Sequence, residues 1–177
     1  VIVSTDDEEI AKVAIENGAI VPFLRPKELS DDFTGTSTVI NHALEYLKSV
    51  GENYDFVCTI YATAPFVDKK YLIEGFEKLK NSNAKNAFSS TSMPFPIQRT
   101  FKITNDERCQ MFFPEHFQTR SQDLEEAYQD AGQFYWTNLN INSTEIIFGK
   151  DSIPIILPRY LVQDIDTTED WTRAEFM

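Results

Sequence analysis

Two carboxylates two residues apart, Asp164 and Asp166, open the segment Asp164-Ile165-Asp166-Thr167-Thr168-Glu169-Asp170. In an extended chain, residues i and i+2 point to the same side, so this spacing aims both carboxylates at one point. Two hard oxygen ligands at a strand end suit Mg²⁺, which keeps several waters and completes its shell with substrate phosphates. The same residues also fit a helix start, with Asp166 and Thr167 as caps and Glu169 and Asp170 complementing the dipole. The two readings are compatible, because a capping residue can also be a ligand.

Other groups are less convergent. Asp6, Asp7, Glu8 and Glu9 crowd into one turn with no converging partner, the pattern of a solvated helix start. Arg25 stands at a strand end before Pro26, where open α/β sheets place their ligand crevice. A guanidinium there can clamp phosphate, or it can be an exposed loop residue. Tyr61-Ala62-Thr63-Ala64-Pro65 also follows a strand, which puts Tyr61 and Thr63 along the same crevice or in an ordinary turn. His42 and His116 have no second His or Cys at ligand spacing, so neither zinc nor a His-based nucleophilic triad is expected. Neither G-x-x-x-x-G-K-[ST] nor G-x-G-x-x-G occurs.

Charge narrows the ligands further. Sixteen Lys plus Arg against 28 Asp plus Glu leave a net charge of −12, which repels nucleic-acid backbones and anionic membranes. An anionic substrate must therefore meet local cations or a metal. Cys58 and Cys109 are too few for a disulfide framework or a four-thiolate site. With no cationic leader ahead of an apolar run, these cysteines lead us to expect a cytoplasmic protein. Apolar residues at 42% and charged residues at 25% describe a globular chain, and 177 residues suit one domain.

The elements that must position these groups follow from periodicity. Val1 to Thr5 reads as a strand, and Thr5 with Glu8 as the capping box of a helix that ends at Asn17-Gly18. Ala19 to Leu24 reads as a second strand. Val39, Ile40, Ala43, Leu44 and Leu47 form the stripe of a helix running from about Thr36 to Gly51. The apolar run Phe56 to Tyr61 suits a central parallel strand. Tyr71, Ile73, Phe76 and Leu79 mark another helix, and Ala87 to Thr91 another strand. Gln133 to Trp136 and Ile153 to Leu157 read as strands, Asn142 to Phe148 as a short helix, and Thr167 to Met177 as a helix capped by Thr167. This alternation predicts an α/β fold with a doubly wound, mostly parallel sheet. Residues 93–128 break it: Pro94, Pro96 and Pro114 among Phe95, Phe101, Phe112, Phe113 and Phe117 read as an insertion whose apolar surface forms an interface.

With these segments in place, the sequence resembles the acylneuraminate cytidylyltransferase family, and most of all its pseudaminic acid branch. The resemblance is carried by IVSTDDEEIA (2–11), FLRPKELSDD (23–32), TIYATAPF (59–66), TRSQDLEEAYQDAGQFYW (119–136) and DIDTTEDW (164–171), in the family's order along the whole chain. It implies a Rossmann-like domain of the nucleotide-diphospho-sugar transferase type. It also implies transfer of CMP from CTP to an acidic nine-carbon sugar, with Mg²⁺ and release of pyrophosphate, for a bacterial surface glycan or flagellin.

Carried over by position, the resemblance makes Asp164 and Asp166 the catalytic, metal-binding pair. It assigns Arg25 and Thr36 to the nucleotide pocket, and Tyr61, Thr63, Gln133, Phe134 and Tyr135 to the sugar pocket. Arg120 matches an arginine donated across a homodimer interface formed by the 93–128 insertion. The family also begins with a strand and a Gly/Arg/Lys-containing loop ahead of the position of Val1. The chain is therefore expected to be N-terminally incomplete and, taken alone, inactive. The alternative reading is a catalytically inactive α/β module that dimerises through its aromatic insertion.

Overall fold

A computed structural model describes residues 1–177, which fold as two compact units, Val1–Tyr54 and Asp55–Met177. In the first unit, helix α1 (Glu8–Glu16) starts at Asp7, whose carboxylate accepts from the N–H groups of Glu9 and Ile10 at 2.7 and 2.9 Å. The expected Thr5 cap is thus displaced by two residues: the Thr5 hydroxyl accepts from the Asp7 N–H instead. Asn17 closes the helix, and Gly18 follows at φ +84°, a left-handed turn that glycine adopts at little cost.

The two strands expected over 1–5 and 19–24 are extended segments joined by two isolated parallel bridges, Ile2 to Ile20 and Thr5 to Leu24. Helix α2 (Thr36–Ser49) ends before Gly51 at φ +87°, as its apolar stripe predicts.

The second unit holds a four-stranded sheet built from β1 (Phe56–Ile60), β2 (Asn86–Ser92), β5 (Tyr128–Asn138) and β6 (Ser152–Ile156) in the order β1-β5-β2-β6. Helix α3 (Lys69–Lys80) connects β1 to β2, and Asp68 caps it by accepting from the Lys70 N–H. The sheet is mixed. β5 runs antiparallel to both β1 and β2, whereas β2 and β6 are parallel. The expected mostly parallel sheet is therefore corrected: β1, β2 and β6 share one direction, and β5 lies reversed between two of them. The Phe56–Ile60 run, expected at the centre, occupies an edge. β6 is the other edge, which tolerates Pro154 because a missing N–H there breaks no ladder.

The core lies between α3 and the sheet. Tyr71 and Leu79 from the helix meet Ala87, Phe134, Ile155 and Leu157, with Cys58 and Trp136 packed against them. Burial pushes the Cys58 thiol up to about 12, so it remains a protonated core residue. Gly75 lets the helix approach closely: a Cβ there would lie 3.1 Å from Trp136, 3.2 Å from Phe134 and 3.4 Å from Ile155. The Trp136 indole N–H donates to the Leu72 carbonyl at 3.0 Å, fixing that ring on α3.

Between β2 and β5 the chain leaves the sheet, as the 93–128 break predicts. It forms a separate two-stranded ribbon, β3 (Phe101–Ile103) and β4 (Cys109–Met111), flanked by short 3₁₀ turns. The helix expected over 142–148 is absent. Its polar groups have partners elsewhere: the Ser143 hydroxyl donates to Asp151, and Lys85 Nζ donates to the Ser143 carbonyl at 2.8 Å. The final helix, α4 (Thr168–Glu175), starts at Thr167 as expected.

Candidate active site

The carboxyl ends of β1, β2 and β6 open on a cleft of about 570 Å³ in the second unit. Such strand ends are where α/β sheets place their ligands. Tyr61 enters it just after β1, Met93 and Pro94 just after β2, and Val162 to Asp164 with Asp166 from the segment beyond β6. β5 supplies Gln129 to Gly132 and Tyr135, and α4 supplies Asp170 and Arg173. Four carboxylates, Asp130, Asp164, Asp166 and Asp170, thus share the wall with one guanidinium.

These carboxylates are not equivalent. Asp170 closes the α4 capping box, accepting from the Thr167 N–H at 2.9 Å and the Thr167 hydroxyl at 2.7 Å. That hydroxyl bond, with further bonds from backbone N–H groups and Gln163, holds its carboxyl below the usual range. Asp130 accepts from the Gly132 N–H at 3.0 Å and from the Tyr135 hydroxyl at 2.6 Å. Burial, followed by this hydrogen bond and the Asp130 charge, pushes the Tyr135 hydroxyl well above its ordinary range, so it stays a donor.

Asp164 is different: its Oδ1 is buried and has no hydrogen-bond partner. A buried carboxylate oxygen without a partner is costly and therefore calls for one. Asp166 is exposed on the same cleft, and with Thr167 as the N-cap it is not the capping residue. The site thus offers two hard carboxylate donors while the other two acids are engaged in hydrogen bonds. No group of three or more His, Cys, Asp or Glu that could hold a metal ion is present, so a hard cation such as Mg²⁺ would take only these two carboxylates here, with water and phosphate in its other positions.

A β-bulge shapes the cleft wall. The β2–β5 register shifts between Phe88 opposite Tyr135 and Ser90 opposite Asp130, so Ser89 faces an excess of β5 chain. The Ser89 hydroxyl oxygen accepts from the freed N–H groups of Gln133 and Phe134, both at 3.1 Å. Within the bulge Gly132 sits at φ +64°, and a Cβ there would lie 2.8 Å from Asp164 Oδ2. Bulges are often found beside active sites, where they re-aim side chains.

Of the residues expected at the site, the structure brings Tyr61, Tyr135, Asp164 and Asp166 together on this cleft. The Tyr61 and Tyr135 rings meet at 5.0 Å between centroids, tilted 46° to one another. Gln133 and Phe134 do not line it. Side chains alternate along a strand, so Phe134 and Trp136 face α3 while Tyr135 faces the other way. Phe134 is therefore a core residue. Gln133 is fully buried, and its amide donates to the Leu161 carbonyl. Thr63 is half-buried outside the lining.

Arg120 is exposed and pairs with Asp123 at 2.7 Å. Arg25 and Thr36 belong to the first unit. There Arg25 donates to Ser30 Oγ at 3.0 Å and the Ser4 carbonyl at 3.3 Å and pairs with Asp6 at 3.2 Å, while Thr36 opens α2. His42 sets its ring edge-on to Phe23, and His116 lies near the Thr119 hydroxyl.

Sequence reasoning missed Asp130, Gly132, Asp170 as a wall residue, Arg173 and Ser89. A signal existed for the bulge: a lone glycine inside a strand pattern, two residues after an aspartate, marks an irregularity or a close approach.

A mixed α/β sheet with an acidic cleft at its strand ends is the setting of an α/β enzyme. Comparison with known proteins makes the class definite. The family model described as cytidylyltransferase matches residues 1–160. The chain is 42% identical over 178 aligned residues to the pseudaminic acid cytidylyltransferase of Campylobacter jejuni subsp. jejuni, covering all of this chain and 77% of that protein. It is 35% identical to a Helicobacter pylori protein named for pseudaminic acid cytidylyltransferase and a UDP-sugar hydrolase, over 93% of this chain and 32% of that one. A CMP-N,N'-diacetyllegionaminic acid synthase of Legionella pneumophila is 28% identical over 99% of this chain and 76% of its own. The chain belongs to the cytidylyltransferase family and is a nucleotidyltransferase.

Proposed function

We propose that this protein transfers CMP from CTP to a nonulosonic acid of the pseudaminic type, releasing pyrophosphate. The observation that carries the reading is the acidic cleft, with Asp164 Oδ1 buried and without a partner, found in a chain 42% identical over its whole length to a pseudaminic acid cytidylyltransferase. A hydroxyl oxygen of the sugar attacks the α-phosphorus and gives up its proton to solvent, the bond from that phosphorus to the bridging oxygen breaks, and pyrophosphate leaves with the electron pair.

In this reading Asp164 and Asp166 would hold Mg²⁺, which would supply charge neutralisation for the phosphates of CTP. Tyr61 and Tyr135 form an aromatic, hydroxyl-bearing wall suited to a polyhydroxylated sugar, with the Tyr135 hydroxyl fixed by Asp130. Arg173, the cation on the cleft wall, offsets part of the field that four carboxylates present to an anionic substrate.

The same reading makes the protein a cytoplasmic homodimer joined through residues 93–128. No helix is long and apolar enough to cross a membrane, and exposed Phe95, Phe101, Ile103, Phe112 and Phe117 are clustered in that stretch of sequence. The comparisons favour the enzyme over the non-catalytic module.

The test is a substrate panel. The full-length product of the gene is incubated with CTP, Mg²⁺ and, separately, pseudaminic, N,N'-diacetyllegionaminic and N-acetylneuraminic acids, and CMP-sugars are quantified by mass. Pseudaminic acid is expected to be used best. No product with any of the three would overturn the reading.

A further inference from the structure

We propose that the β5 bulge is a positioning device for Asp164, with Gly132, Asp130 and Ser89 as its parts. The inference rests on the reading of Asp164 as a metal ligand and assigns a role to residues that do not themselves bind the metal.

The geometry carries the argument. Gly132 is held at φ +64° by two side chains: Asp130 Oδ1 accepts its N–H at 3.0 Å, and Ser89 Oγ accepts the next two N–H groups of the bulge at 3.1 Å each. Asp130 is itself fixed by the Tyr135 hydroxyl at 2.6 Å, so its carboxylate is occupied in bracing the bulge. The space a side chain would fill at position 132 is taken by the Asp164 carboxylate. A Cβ there would lie 2.8 Å from Oδ2, 3.1 Å from Cγ and 3.5 Å from Cβ of Asp164, and 2.8 Å is closer than a carbon and an oxygen can pack. Asp164 Oδ1, on the same group, is buried without a partner.

The glycine therefore does two separable things: it supplies a backbone conformation that L-residues avoid, and it leaves room for a carboxylate held with one oxygen unsatisfied. A Cβ at 132 requires the Asp164 carboxylate to shift from that position. Groups that orient a ligand without touching the metal commonly contribute a factor of about 10 to 100 in affinity.

Two variants separate the effects. Gly132→Ala adds both backbone strain and the Cβ. Gly132→Asn adds the Cβ at a residue type that tolerates positive φ, which protects folding. In the full-length protein, Mn²⁺ alone is titrated and its free signal followed by electron paramagnetic resonance, with thermal melting recorded alongside. Both variants are expected to bind Mn²⁺ about tenfold more weakly or worse, with Asn melting closer to wild type than Ala. Asp164→Asn serves as the reference and is expected to lose binding. If Asp164→Asn loses Mn²⁺ while a folded Gly132→Asn binds it like wild type, the positioning role is overturned and the metal reading stands. If Asp164→Asn binds Mn²⁺ like wild type, the metal reading fails, and the positioning role fails with it.

Discussion

Tyr135 donates its hydroxyl to Asp130 Oδ2 at 2.6 Å, tying the two ends of the β5 bulge together across the cleft wall. The bond spans five residues of one strand, a distance that regular β geometry would stretch to roughly 17 Å between Cα atoms. The bulge is what brings these two side chains within reach, and the bond in turn holds the bulge.

This bond carries a signed pH dependence. Burial, then Asp130, raises the Tyr135 hydroxyl in the folded protein, whereas an unfolded tyrosine loses its proton near pH 10. A group whose folded value is raised contributes stability that is fully present below the unfolded value and is lost as pH climbs above it. Tyr135→Phe should therefore be less stable than wild type at pH 8, by about 1 kcal/mol for one hydrogen bond, and the gap should narrow above pH 10. Urea unfolding of both proteins between pH 8 and 11 checks this, and a gap that stays constant would contradict it.

Gly75 offers a test of the core. Alanine in a helix interior is favoured over glycine by about 1 kcal/mol. Here the added methyl meets Trp136, Phe134 and Ile155 at 3.1, 3.2 and 3.4 Å in a packed interior, and overpacking typically costs about 1–3 kcal/mol. The packing cost should exceed the propensity gain, so Gly75→Ala should lower the urea midpoint. A raised midpoint would show that α3 can move off the sheet.

The apolar surface of residues 93–128 gives an expectation for assembly. Ile103 is 73% exposed and Phe95 77% exposed, and such side chains clustered along one stretch usually cover one another in an oligomer. Sedimentation equilibrium at micromolar concentration should give twice the chain mass, and Ile103→Asp should shift it toward one. A wild-type monomer would rule out the homodimer.

Much of this architecture was legible because periodicity reports local geometry. The stripe of Val39, Ile40, Ala43, Leu44 and Leu47 marks α2, and the β-branched and aromatic runs mark β1 and β6. Strand direction was not legible. Nothing in Gln133 to Trp136 says which way that run pairs, and the reversal of β5 follows from the return path through residues 93–128. Asn142 to Phe148 carries helix signals that Lys85 and Asp151 override by capturing Ser143.

At the site, the i, i+2 spacing of Asp164 and Asp166 was readable, and both reach one cleft. The same alternation rule puts Phe134 and Tyr135 on opposite faces of β5, so only one of these two can line the cleft. The bulge was hidden because it depends on the φ of one glycine and on Ser89, 43 positions earlier in the chain.

In the proposed function, Asp164 and Asp166 act in CMP transfer and are not there to hold the fold. Because Asp164 Oδ1 is buried without a partner, removing that carboxylate relieves an unsatisfied group, and Asp164→Ala should keep or raise the melting temperature. The measurement is release of pyrophosphate from CTP by full-length wild type, Asp164→Ala and Asp166→Ala at saturating Mg²⁺ and pseudaminic acid, with melting curves on the same samples. Each variant is expected to melt like wild type or higher while turnover falls by about 100-fold or more. Wild-type turnover in both folded variants would contradict it.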